Sequence, residues 1–401
     1  MLGGALVSGA LATGALYGAQ SASASCASLF GIGNGNGCTS NLTSIAIGIG
    51  DGAVADAGAA LFGSALAVGV NAKSVNSVTL GTFTAAIGDG ASASGLFSVF
   101  ATAAQFGQGS ATNMGALNLA LGISNGTGAQ NTGIIGVGNI ALQLGPGSSG
   151  AIGALNLSIG SGNDIEKAVA GANGIGNIVA QFGSGTASTF GVLNAALGIS
   201  AGGSGAQTTT AGIFGTIALN LFGSADAQSS NTAVSQSILS SAINVYGHNT
   251  EVTTGGVLST AANIGGSDSV VTTQGPVPDT TLSTSLNLFG KGNTVTAGRG
   301  PLAFAGSIAQ SGATVTQPGP GININGIGIG LAAPLSSPAK AVASALAATP
   351  TADDKKATSS TTSSKKKPTR SATSSDKKTN SAANAAATTK KSTGSKTNSA
   401  N

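Results

Sequence analysis

A glycine preceded by an aliphatic or aromatic residue returns every 19 residues between Gly50 and Gly107, as Ile49-Gly50, Val68-Gly69, Ile87-Gly88 and Phe106-Gly107. One step back lies Phe30-Gly31, and double steps forward land on Leu144-Gly145 and Phe182-Gly183. A fixed period of this size marks a stack of repeat units, each of which buries its apolar side only against its neighbours. It argues against an ordinary globular domain.

Doubling the interval to 38 makes the likeness closer. Ala104-Gln105-Phe106-Gly107, Leu142-Gln143-Leu144-Gly145 and Ala180-Gln181-Phe182-Gly183 superpose without a gap. So do Gly115-Ala116-Leu117-Asn118, Gly153-Ala154-Leu155-Asn156 and Gly191-Val192-Leu193-Asn194. Within a unit the large apolar residues alternate, as Ile45, Ile47, Ile49 and as Ile140, Leu142, Leu144. Period two means strand, and these rows are expected to face inward, with Gln143 outward. A closed turn of 38 extended residues would enclose a void that such side chains could not fill. About 19 residues at ~3.3 Å each give a compact coil of two or three strands. Gly122 and Gly160 depart from the 19-residue spacing and read as corner glycines displaced by loops of varying length.

The pattern therefore predicts an all-β, parallel β-solenoid, a β-helix or β-roll of ~19-residue rungs. The regular part is expected over 41–239. Looser repeats over 240–320 carry Val252-Thr253, Val271-Thr272, Val295-Thr296 and Val315-Thr316. A linker and tail then occupy 321–401.

Only 7% of the residues are charged, far below the roughly 25% of ordinary soluble domains, which excludes a standard enzyme composition. Residues 331–401 hold 12 of the 16 Lys and Arg against three acidic residues, a net of +9. That leaves −5 on the rest of a chain whose total is +4. A mildly acidic body with a basic end is the asymmetry of a scaffold with an interaction tail.

Leu2 to Ala19 is apolar, and Ala22 and Ala24 form an A-x-A site, so residues 1–24 read as an export signal cleaved after Ala24. The usual positive n-region is missing, and a retained membrane-inserting helix is the alternative. Cys26 and Cys38, the two cysteines, flank a glycine-rich loop. An even pair in an exported chain reads as one disulfide, stapling the start of the stack over 25–40. The lipoprotein alternative would make Cys26 the acylated residue.

Asn41 to Gly52 (NLTSIAIGIGDG) and Asn76-Ser77-Val78-Thr79-Leu80-Gly81 resemble the SVAIG-type repeats of trimeric autotransporter adhesin heads. Stretches such as Asn118-Leu119-Ala120-Leu121-Gly122 resemble the Gly/Asn/Ala-rich surface and secreted repeat proteins of mycobacteria. The likeness covers roughly residues 30–230. It implies a parallel β-roll and a place at the cell surface or outside the cell.

From 331 onward the chain is Ala, Ser, Thr, Lys, Asn and Pro with no apolar period, the composition of a disordered segment. Its basic residues Lys355, Lys356, Lys365, Lys366, Lys367, Arg370, Lys377, Lys378, Lys390 and Lys391 are candidate contacts to a polyanion through counterion release. Nucleic acid, a sulfated glycan or an acidic wall polymer would all serve. The tail has no aromatic residue, so base stacking is excluded and any nucleic-acid binding is expected to be non-specific.

Little chemistry appears elsewhere. His248 is the single histidine and sits at a predicted turn, where it reads as an exposed polar residue. Asp51 and Asp89 occupy equivalent positions, but no carboxylate ladder continues from them, and calcium needs six to eight oxygens. Asp164, Glu166 and Lys167 form the densest charge cluster and read as a solvated turn, without the substrate clamps of glycoside chemistry. The expectation is a non-catalytic, exported structural or adhesin-like surface protein of the cell surface or wall, able to self-associate, without cofactor, metal or small-molecule substrate. Polyanion binding through the tail is the alternative. A crystal- or ice-binding threonine column at Thr253, Thr272 and Thr296 is a more remote one.

Overall fold

The computed structural model describes residues 25–330, apart from 125–127, 163–166, 202–205, 227–229, 274–279 and 299. The expected export signal over residues 1–24 and the expected disordered basic tail from 331 lie outside these. Every regular element among the described residues is a β-strand. The chain coils as a parallel β-solenoid of about 14 turns with roughly 19-residue spacing. Each turn gives one strand to each of two sheets.

The first sheet runs in parallel register from Ile45–Ile49 to Ala303–Ile308. In its middle, Leu142 pairs with Leu121 on one side and Ile159 on the other. The second sheet begins at Cys38–Ser40, lengthens to strands such as Gly147–Ala154, and narrows to four-residue strands from Glu251–Thr254 to Thr314–Gln317. The Val-Thr motifs form its last part, with Val252, Val271, Val295 and Val315 buried and Thr253, Thr272, Thr296 and Thr316 stacked outside.

Both ends close with an antiparallel strand. Ser25–Leu29 lies against Ile45–Ile49, and Ile327–Gly330 against Gly321–Ile324. Such caps occupy edges that would otherwise pair with another chain. The second cap corrects the expected boundary, since ordered structure continues ten residues past 320. Asn325 and Gly326 both have positive φ (54° and 83°), and the Asn-Gly pair makes a tight hairpin between Ile324 and Ile327.

The inward and outward rows are the reverse of the sequence expectation. Ala46 and Gly48 point into the solenoid, whereas Ile45, Ile47 and Ile49 point out. Gln143 is 0% exposed, while Ile140 on the same strand is 44% exposed. Most strands of the first sheet direct only two residues inward, and the two sheets lie close together. The hydroxyls of Ser149 and Ser158 meet across the interior at 2.9 Å. Few large aliphatic side chains fit such a gap, so apart from Ile134, Val179 and the Val252 column it is filled mainly by Ala, Gly, Ser, Thr, Asn and Gln.

Polar side chains inside so thin a core need partners, and many of the asparagines find them along the stack. The backbone N–H groups of Asn139, Asn156, Asn177 and Asn194 each donate to the side-chain oxygen of the Asn one rung before, starting from Asn118, at 2.9–3.0 Å. Each Asn amide in turn donates to corner carbonyls, as Asn156 Nδ2 does to Ile152 O and Gly174 O. Farther along, Asn244, Asn263 and Asn287 form a second ladder, with amide-to-amide bonds of 2.8–2.9 Å.

The 38-residue likeness has a packing cause. Gln105, Gly122, Gln143, Gly160, Gln181 and Gly198 are successive members of one inward column. Each Gln extends over the Gly of the next rung, its Oε1 lying where a Cβ on that Gly would stand. Gly122 and Gly160 are therefore core positions and not displaced corners. The corner position is taken instead by Ser124 and Gly162, whose N–H groups donate to Phe106 and Leu144. Rung length alternates only at this corner, with a short path from Phe106 to Gly109 and a longer one from Ile123 to Gln130.

Candidate interaction surface

The outward rows of the first sheet form the most unusual surface of the molecule. One row runs through Ile47, Leu66, Leu121, Leu142, Ile159, Leu197, Leu219, Ile243 and Leu286, with alanines between. The row beside it carries Ile49, Val68, Ile87, Phe106, Ile123, Leu144, Phe182, Ile199, Leu221, Val245, Ile264, Leu288 and Ile308. None of the strands of this sheet from Ile45–Ile49 to Ala303–Ile308 contains an acidic or basic residue. At the far corner, Phe62, Phe100, Leu117, Leu155, Leu193 and Leu239 are also exposed and have positive φ. Where the same corner position is Gly138 or Gly176, the next leucine, Leu155 or Leu193, folds across it.

Charge is confined to the rest of the surface. Asp51 and Asp89 sit in turns that follow first-sheet strands, with Asp89 Oδ1 accepting the Val70 N–H at 2.8 Å. The two carboxylates thus belong to turn surfaces, and no group of acidic, histidine or cysteine side chains among the described residues is placed to hold a metal ion. His248 is at a turn as expected, 43% exposed, with Nε2 3.4 Å from Asp226 Oδ1. Asn249 bridges Asp226 and Asp268 beside it, at 2.9 and 3.2 Å. Asp164 and Glu166 lie outside the described residues, while Lys167 is exposed.

Cys26 and Cys38 are joined, with their sulfurs 2.04 Å apart and Cα atoms 5.4 Å apart. The bridge rests on Gly48, which opens the inward column that Gln and Gly share farther along. It thus fills the first rung of the core as well as tying the cap to it. The candidate polyanion contacts, Lys355, Lys356, Lys365, Lys366, Lys367, Arg370, Lys377, Lys378, Lys390 and Lys391, lie outside the described residues. Lys73, Lys167 and Lys291, the basic side chains among the described residues, are far apart in the repeat order.

A second surface feature is a groove of about 630 Å³ on the outer face of the second sheet. Gly133, Gly150 and Gly171 stack as its floor, and Met114, Ile135 and Phe190 stand along one side. It has no charged lining residue. Neither apolar surface is expected from the sequence when the large residues are assigned to the interior. The signal for the first was present in the Gln and Asn residues that alternate with them.

No family model, curated protein or solved structure matches the chain.

Proposed function

We propose that this chain is an exported structural or adhesin-like surface repeat protein, which acts by presenting a long ordered surface and performs no catalysis. The observation that carries the reading is the uncharged apolar face of the first sheet, maintained over the whole stack. Soluble monomers rarely expose a contiguous apolar patch above a few hundred Å², and larger ones mark contact surfaces. The capped ends and the disulfide fit a chain that keeps its length and order in an oxidising setting.

Fractionation of producing cells tests it. The chain is expected in the medium or the wall fraction, accessible to added protease, with a new N-terminus at Ser25. Recovery of the intact chain from the cytosol, with free thiols, overturns the proposal. Polyanion binding through the tail remains the alternative reading, favoured by the 12 basic residues after 330.

A further inference from the structure

We propose that the outer face of the first sheet pairs with the same face of a second copy of this chain. The inference deepens the surface-scaffold reading by naming the partner, and it rests on area, charge and pitch.

Fourteen parallel strands at ~4.8 Å spacing extend about 65 Å, and five residues per strand span about 16 Å. The face therefore offers on the order of 1,000 Å² per copy, against the ~800 Å² per partner of a standard stable interface. A two-fold interface must be complementary to itself, since each residue meets the same patch on its mate. Charged faces meet this demand only through alternating signs. This face meets it by having no charge on any of its strands. A second copy also carries the same strand spacing, so rows such as Leu121, Leu142 and Ile159 can interdigitate over many rungs, as in the paired faces of a β-sandwich.

The border of the face argues against an anionic lipid surface as the occupant. The turns along it carry Asp51, Asp89, Asp226 and Asp268 against Lys167 and Lys291 among the described residues. An anionic bilayer would repel this acidic margin.

The test uses the purified full chain in sedimentation velocity over a concentration series. The expected result is a dimer at micromolar concentration. Leu142→Glu combined with Leu219→Glu should weaken dimerisation by about a hundredfold or more, because both carboxylates would be buried unpaired. The circular dichroism spectrum of that variant should match the parent, as both positions face outward. Ile152→Glu at the rim of the second-sheet groove should leave the dimer intact. A parent that stays monomeric at tens of micromolar overturns the proposal. So does a charged-face variant that keeps its dimer and its fold, or a dimer lost with Ile152→Glu alone. Parent chain that floats with zwitterionic vesicles while remaining monomeric would assign the face to lipid and overturn it equally. Should the Leu142/Leu219 variant misfold, Leu142→Cys offers a second route, with an inter-copy crosslink by a short bis-maleimide expected and its absence adverse. Failure here is separable from failure of the export reading, since a cytosolic chain can dimerise and an exported one can be monomeric.

Discussion

Gln143 reaches across to Gly160 on the next rung, and its amide oxygen takes the space where a Cβ on that glycine would be. The same relation holds for Gln105 with Gly122 and Gln181 with Gly198. Gly160→Ala should therefore destabilise the body by about 1–3 kcal/mol through overpacking. In a Gln143→Ala background the same change should cost much less. A double-mutant cycle in urea measures the coupling, and additive effects would contradict the packing described.

Stability should respond to the two neighbours Leu142 and Gln143 in opposite senses from those of a conventional core. Gln143→Glu places a charge at a fully buried site and is expected to cost about 3 kcal/mol or more. Leu142→Glu, on the outer face, should shift the unfolding of dilute monomer by less than about 1 kcal/mol. Thermal or denaturant unfolding of the two variants decides the register directly.

Asn156 supports three contacts at once, accepting from the Asn177 N–H and donating to Ile152 O and Gly174 O. Asn156→Ala leaves these buried groups unpaired and should destabilise by roughly 2–4 kcal/mol. Hydrogen exchange should accelerate first at residues 152–178, since rungs couple chiefly to their neighbours.

Reducing the Cys26–Cys38 bridge opens a loop with a sequence separation of 12 and should cost up to about 3 kcal/mol. The loss should be local. Exchange protection is expected to fall over 25–57 and to persist over 240–330, and a uniform loss would show that the stack unfolds as one unit.

Truncation after Gly330 should leave the strand signal of the body unchanged. If polyanion binding belongs to the tail, the truncated chain loses it. For about five engaged charges on duplex DNA, the full chain's log affinity should fall with log salt at a slope of roughly −4 to −5. Retained or salt-independent binding would move the contact to the body.

The rung length, the parallel stack and the Val-Thr continuation were legible in the sequence, because glycine spacing and period two report backbone geometry. Which row faces inward was not. In Ile45-Ala46-Ile47-Gly48-Ile49 both rows are apolar, so alternation marks a strand without orienting it. Preference for large residues inside then selects the wrong row, since the narrow gap crossed by Ser149 and Ser158 is filled mainly by small or flat side chains. The glutamines of the Gln143 column and the Asn that follows Leu117, Leu155 and Leu193 were the available clues, but a polar residue on a strand ordinarily faces solvent, as expected of Gln143. The last hairpin lay beyond the expected end of the stack at 320, although Asn325-Gly326 flanked by alternating isoleucines is a strong turn signal.

The alternation of Gln with Gly down one column also constrains how such a chain can change its length by unequal recombination. Loss of 38 residues brings Gln against Gly again and leaves the interior filled. Loss of a single rung would set two glutamines face to face in a space sized for one, or two glycines around a void. Copy-number change through this region is thus expected in even steps, so that the heritable module is a pair of rungs although the folded module is one.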